Sequence, residues 1–169
     1  CDWSSDVCSS DLAQPDARVC IDLGEQTLRR HRARLYVVPA MRALPRDLAL
    51  RWQGEPQLVM AGWGTLKLRP GRGVGIDFKK LGAVPVTLRM RRGGEKLQPD
   101  ASRPRRAVKD WLQALGMPPW QRDRLPFLWA GDRLVWVAGV GVDCSFQAVR
   151  GTASVVPRWV DAATRVARA

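Results

Sequence analysis

The residues best equipped for chemistry in this sequence are its cations. In Val86 to Arg92 the apolar Val86, Leu88 and Met90 alternate with Thr87, Arg89 and Arg91, the period of a half-buried strand with one cationic face. Further on, Arg105, Arg106, Lys109 and Gln113 fall on one side of a helical repeat whose other side is Ala107, Val108, Trp111, Leu112 and Leu115. Arg122 and Arg124 flank Asp123, whose carboxylate could hold both guanidiniums in place, a structural arrangement as much as a binding one. Other residue types offer less. Cys1, Cys8, Cys20 and Cys144 form no CxxC pair and have only His31 as a possible co-ligand, so neither a zinc site nor a disulfide framework is indicated. His31, set among arginines, reads as a solvated surface residue. Gly71, Gly73 and Gly75 lack the following Lys-Ser/Thr and the strand-loop-helix setting of a phosphate loop.

Composition points the same way. With 169 residues and 46% hydrophobic content, the chain can bury the core of one domain or two small ones. A net charge of +12 and a pI near 10.9 favour polyanions, nucleic acid before anionic membrane. The excess is carried by 23 Arg against 5 Lys, and GC-rich codon usage is a competing source of it. No stretch approaches the roughly 20 apolar residues of a membrane helix. The longest apolar run, around Leu134 to Val142, is interrupted by glycine. The start has no charged segment leading into an apolar one, so a cytoplasmic setting with reduced thiols is expected. The opening CDWSSDVCSSDL nearly repeats itself and resembles translated sequencing adapter. Residues 1–12 are therefore expected to be a non-native leader, with the natural chain continuing upstream.

The elements that must position the cations can be read in outline. Thr27 to Pro39 passes from basic residues into the apolar run Leu35 to Val38, a strand entered through a charged segment. Leu48 to Trp52 and Leu58 to Leu68 offer further short strands around the turn-forming Gln53-Gly54-Glu55-Pro56. The Gly- and Pro-rich stretch 69–85 reads as a linker or domain boundary. After the strand from Val86, Gly93-Gly94 ends the run and a loop leads to Ser102, which would cap a helix that stops at Gly116. Met117 to Pro126 is pinned by prolines, with Trp120 as its apolar anchor. Phe127 to Asp143 reads as a hairpin turning near Gly131-Asp132, with two arms apolar enough to be central strands. Trp129 and Trp136 then belong to the core rather than to a base-stacking platform.

Taken in order, the Arg92 to Glu95 RGGE element, the helix carrying Lys109 and Trp111, the PPWQRDRLPFL segment from Pro118 to Leu128 and the Gly131-Asp132 hairpin followed by Val-Ala-Gly resemble the C-terminal domain of bacterial tRNA(Ile)-lysidine synthetases. The resemblance runs over roughly residues 84–147. Residues 28–80, with LRRHRARLYVVP and RPGRG, are more weakly similar to the middle, substrate-recognition region of the same family. It implies an ATP-dependent ligase that adenylates the wobble cytidine of a tRNA(Ile) with CAU anticodon and lets the amine of L-lysine displace AMP. In that family ATP is bound by an N-terminal ATP-pyrophosphatase domain with an SGGxDS loop. No SGGxDS occurs here. No catalytic, cofactor-binding or metal residue is therefore carried over, and the chain is expected to be inactive alone.

The resemblance also implies that this region grips tRNA, with no membrane involved, and it assigns contacts to Arg89, Arg91, Arg92, Lys96, Arg105, Arg106, Lys109, Arg122 and Arg124. Arginine forks on a strand and a helix suit A-form RNA, which is recognised through phosphates, 2′-hydroxyls and shape. The segment Gln98 to Pro104 departs from a family tendency to glycine and lysine. The implied fold is α+β, a small mixed domain followed by a β-sandwich-like C-terminal domain with one clear amphipathic helix, the last module similar to one in the phenylalanyl-tRNA synthetase β subunit. The expected divisions are 13–81, the remainder of the substrate-recognition region, 82–158, the tRNA-binding domain, and 159–169, a tail. Two rival readings are a non-catalytic basic RNA-binding module and an interaction domain whose basicity reflects codon usage.

Overall fold

The computed structural model describes residues 20–39, 48–82 and 84–162. The suspected leader and most of the expected tail lie outside those residues. Strands account for 49% of the structure and helices for 13%, the balance of an α+β fold dominated by sheet. The chain forms two compact units, Cys1–Ala43 and Leu44–Ala169.

In the first unit, β1 (Cys20–Asp22), β2 (Gln26–His31) and β3 (Arg34–Pro39) make a three-stranded antiparallel sheet in that order. The basic segment before Leu35, expected only to lead into a strand, is itself β2. Arg32 and Ala33 turn the chain with φ of 47° and 58°. Two left-handed residues are what a tight two-residue hairpin requires, and the twist of the flanking strands supplies the reason non-glycine residues accept it.

The second unit opens with β4 (Ala49–Trp52), β5 (Gln57–Met60), β6 (Gly64–Arg72), β7 (Ile76–Asp77), α1 (Phe78–Leu81) and β8 (Val86–Met90). It continues with β9 (Lys96–Leu97), β10 (Arg106–Ala107), α2 (Val108–Ala114) and α3 (Pro119–Arg122). It closes with β11 (Pro126–Ala130), β12 (Arg133–Val137), β13 (Gly141–Val142), a single 3-10 turn at Cys144–Phe146, and β14 (Ala153–Asp161). Five strands form one antiparallel sheet in the order β13-β12-β11-β8-β4, and four form another in the order β5-β6-β14-β7. Buried side chains of both sheets, among them Leu66, Ile76, Leu88, Phe127, Leu128 and Val135, join a single core. Burial on this scale is the main favourable term of the fold.

The hairpin expected around Gly131-Asp132 is present, with Ala130 opposite Arg133. Its arms lie in the middle of the five-stranded sheet, which accounts for their almost wholly apolar sequence. Strand β8 also follows its pattern: Val86, Leu88 and Met90 are buried, while Thr87 and Arg89 are partly exposed.

Two expectations are corrected. Stretch 69–85 is no linker, because β6 runs through Pro70 to Arg72 and residues 76–81 form β7 and α1. The expected division at 81/82 falls inside the second unit, where β4 pairs with β8 and β6 pairs with β14 along nine residues. Gly75 shows why glycine belongs there: its φ is +83° and a Cβ would lie 2.4 Å from the Val155 carbonyl oxygen. Gly71 and Gly75, which resemble a loop composition, are thus places where two strands touch.

The main helix is also shorter than its apolar repeat suggests. Ser102 does not cap it; the Ser102 N–H and hydroxyl both donate to the Asp100 carboxylate, and Arg103 precedes Pro104, a position biased away from helix. Arg106 and Ala107 instead pair with Leu97 and Lys96, and α2 starts only at Val108. At its end the Gly116 N–H donates to Gln113 O and the Met117 N–H to Leu112 O, a Schellman closure with Gly116 at φ +69°. Val108 and Leu112 are fully buried, whereas Leu115, expected on the same stripe, is 56% exposed. Leu112→Ala should therefore cost about 2–5 kcal/mol in denaturant unfolding. Leu115→Ala should stay within about 0.5 kcal/mol of the unaltered chain.

Candidate nucleic-acid interface

The two-residue ladder between β9 and β10 is what gathers the cations. It sets Lys96 opposite Ala107 and Arg106 opposite Leu97, so Lys96, Arg105 and Arg106 meet at the start of α2, one turn from Lys109. The Val108 N–H donates to Glu95 O at 2.8 Å and fixes the helix to the preceding loop. Lys96, Arg106 and Lys109 are exposed. The Arg106 guanidinium lies 5.3 Å from the centre of the half-buried Trp111 ring, whose indole N–H donates to Leu97 O. The ring limits the rotamers of an otherwise flexible side chain.

Arg105 is held differently. Its guanidinium is 3.0 Å from the carboxylate of Asp143, which is 1% exposed. That carboxylate also accepts from the Gln98 N–H, the Ser145 N–H and the Ser145 hydroxyl. Burial pushes the Asp143 carboxyl up, but the three hydrogen bonds and the Arg105 charge outweigh it and hold the group below the ordinary aspartate range.

Beside β8 the chain makes a cavity of about 300 Å³ lined by Arg89, Arg92, Gly93, Gly94, Glu95 and Trp129. The Glu95 carboxylate accepts from the Arg92 N–H at 2.6 Å and from the Gly93 N–H at 2.9 Å, which folds the loop back on itself. Arg89 donates to Thr87 Oγ1 and to Gly131 O, and its guanidinium lies 5.6 Å from the Trp129 ring centre. Arg92 is exposed at the rim. A concave, cationic, partly aromatic surface of this kind can hold phosphates by charge-assisted hydrogen bonds.

The remaining sequence-derived candidates are tied into the fold. Arg91 is 3.7 Å from Asp123, and Arg122 Nε donates to Met117 O. Arg124 is 9% exposed, packs 4.1 Å over the Trp63 ring and donates to Gly62 O. Burial lowers its pKa and the Asp161 charge opposes that shift. The Arg-Asp-Arg cluster therefore does not close on itself. Asp123 is paired with Arg91, and Arg124 points to a different strand connection altogether.

Sequence reading gave no role to Asp143 or Glu95, which shape the interface without being cations. Asp143 had a usable signal, since Asp is a favoured residue for capping a helical turn. Nothing local marked Arg105 as its partner, 38 residues away. Among the described residues no group of three His, Cys, Asp or Glu could hold a metal. Nor does any helix of the described residues have the length and apolar character to cross a membrane.

Residues 86–159 match the family of the TilS substrate C-terminal domain. The chain carries the C-terminal domain of the tRNA(Ile)-lysidine synthase family. It is 42% identical over 148 residues to the tRNA(Ile)-lysidine synthase of Nitrosomonas europaea, an alignment covering 86% of this chain and 32% of that protein. The synthase of Ralstonia nicotianae is 37% identical, with 81% and 32% covered, and that of Azoarcus sp. is 36% identical, with 66% and 24% covered. The chain thus spans about a third or less of the length of these curated relatives. All nine cations carried over from the lysidine-synthetase resemblance lie within the matched span; they divide into an outward group and a group committed to the fold.

The buried Asp143 makes a pH prediction for this domain. Its carboxyl, depressed in the folded state, stays ionised while the unfolded chain takes up a proton near the ordinary value of about 3.9. Its stabilisation is therefore present above that value and lost as pH falls through the lower, folded one. Thermal unfolding followed from about pH 6 to about pH 2 should show this loss in the unaltered chain. Asp143→Asn should be less stable at pH 6 and flatter across the acid range.

Proposed function

We propose that this chain is the tRNA-gripping part of a tRNA(Ile)-lysidine synthase. The parent enzyme would use ATP to adenylate the wobble cytidine of a tRNA(Ile) with CAU anticodon, and L-lysine would displace AMP to give lysidine. ATP and lysine belong to the ATP-pyrophosphatase domain of such an enzyme. The present chain supplies affinity and orientation, in the cytoplasm where tRNA is modified.

The observation that carries this reading is the gathering of Lys96, Arg106 and Lys109 on one exposed junction, beside the cavity rimmed by Arg89 and Arg92. A helix face and a strand face offered together suit a backbone that curves, as A-form RNA does, and such contacts read shape rather than base sequence. Within the nine candidates, Arg89, Arg92, Lys96, Arg106 and Lys109 are assigned to direct phosphate contact. Arg105 positions the junction through Asp143, while Arg91, Arg122 and Arg124 are committed to contacts within the fold. The second reading is a non-catalytic basic RNA-binding module. The two differ in whether the bound RNA must be an isoleucine tRNA.

Binding of the full chain to isoleucine tRNA with a CAU anticodon, and to elongator methionine tRNA, should be measured across a salt series. Arg106→Gln with Lys109→Gln should weaken binding and lower the salt slope by about 2, one for each lost phosphate contact. Preference for isoleucine tRNA supports the synthase reading. Equal binding of both tRNAs leaves this chain a nonspecific grip, and an unaltered slope removes the junction from the contact surface.

A further inference from the structure

We propose that the outward face of the four-stranded sheet is a second RNA-backbone contact, formed by Lys67, Arg69 and Arg158. This rests on the RNA-binding reading above but uses different strands. Lys67 and Arg69 lie outside residues 86–159, the span of the C-terminal domain family.

Alternation along β6 buries Leu66 and Leu68 and turns Lys67 and Arg69 outward. The register places Lys67 directly opposite Arg158 of β14 on one side and Gln57 of β5 on the other, with Arg69 opposite Val156. The neighbouring row is Val59, Thr65 and Val160. None of these rows contains a carboxylate. Among the described residues Lys67, Arg69 and Arg158 take part in no ion pair or side-chain hydrogen bond.

Like charges directly opposite each other in an antiparallel pair are destabilising. The fold carries that cost without an internal partner to offset it, whereas Arg91, Arg105 and Arg124 all receive one. A polyanion laid across the sheet would remove the repulsion. The backbone positions that carry the cations are about 5 Å apart across the strands and about 7 Å apart along β6, of the order of the step between successive phosphates of a nucleic-acid strand. The nine-residue ladder fixes those backbone positions. A row of cations on fixed backbone positions fits a regular phosphate backbone better than a flexible acidic peptide. The apolar residues on the face, Val59, Val156 and Val160, are too few and too short for a lipid surface.

The test uses the full chain. Lys67→Gln with Arg158→Gln should lower affinity for isoleucine tRNA about tenfold at moderate salt and lower the salt slope by about 2. Its melting temperature should be unchanged or higher, because the facing charges are gone. Lys67→Arg should retain the affinity. Poly-L-glutamate and anionic phospholipid vesicles serve as competing polyanions. Unchanged tRNA affinity and slope in the Lys67/Arg158 variant, with a loss in the Arg106/Lys109 variant, overturns the second contact and leaves the first. Loss in neither variant overturns both. An equal loss for tRNA, poly-L-glutamate and vesicles overturns the assignment to RNA.

Discussion

A carboxylate at 1% exposure must be satisfied, and the way Asp143 is satisfied organises the cationic end of the second unit. It accepts from the backbone after β9, from both donors of Ser145 in the 3-10 turn, and from the guanidinium of Arg105 ahead of β10. Three segments, around Gln98, Arg105 and Ser145, are fixed to one pair of oxygen atoms. An uncompensated charge in that position would cost several kcal/mol, so the three segments are held together or the fold is lost. The short β9-β10 ladder, only two residues on each strand, is held at one end by this clamp and at the other by the Val108 N–H bond to Glu95 O.

A strongly basic chain has to decide which of its guanidiniums work inside the fold. The buried Arg124 and the more exposed Arg105 serve as struts, each matched to an acceptor and, for Arg124, an aromatic face. Arg106 on β10 and Lys109 on α2 remain outside, and the opposite side of α2 reaches the core through Val108 and Leu112. Net charge therefore overstates the surface available to a polyanion. Its useful part is the subset that the packing leaves outward.

Much of the central sheet was legible in the sequence. Apolar arms flanking Gly-Asp can only be a buried hairpin, and the Val86-Leu88-Met90 alternation fixes which face of β8 goes inward. What was not legible is long-range. Nothing near Arg69 to Gly75 announces that its partner is Ala153 to Val156, so glycines required for close strand approach read as a linker. The helix began late for a similar reason: a strand pairing with Lys96-Leu97 overrode the apolar repeat of Ala107 onward. At the site, the residue types were right but local adjacency misled. Arg122, Asp123 and Arg124 are neighbours in sequence and go to three different partners.

The β6/β14 ladder has a consequence for how the protein is made. Its two strands lie some eighty residues apart, and β7 pairs with β14 as well. During synthesis β6 and β7 leave the ribosome long before Ala153 to Asp161 exists. Until then the four-stranded sheet has an unpaired interior edge beside buried-type residues such as Leu66, Leu68 and Ile76. Non-local pairing of this sort slows folding, since loop closure precedes any reward from contact. The last described strand is thus the one that completes the sheet. A nascent chain halted before it would present an adhesive edge to its neighbours, and the outward lysine and arginines of β6 would then act as charged guards against strand-to-strand aggregation.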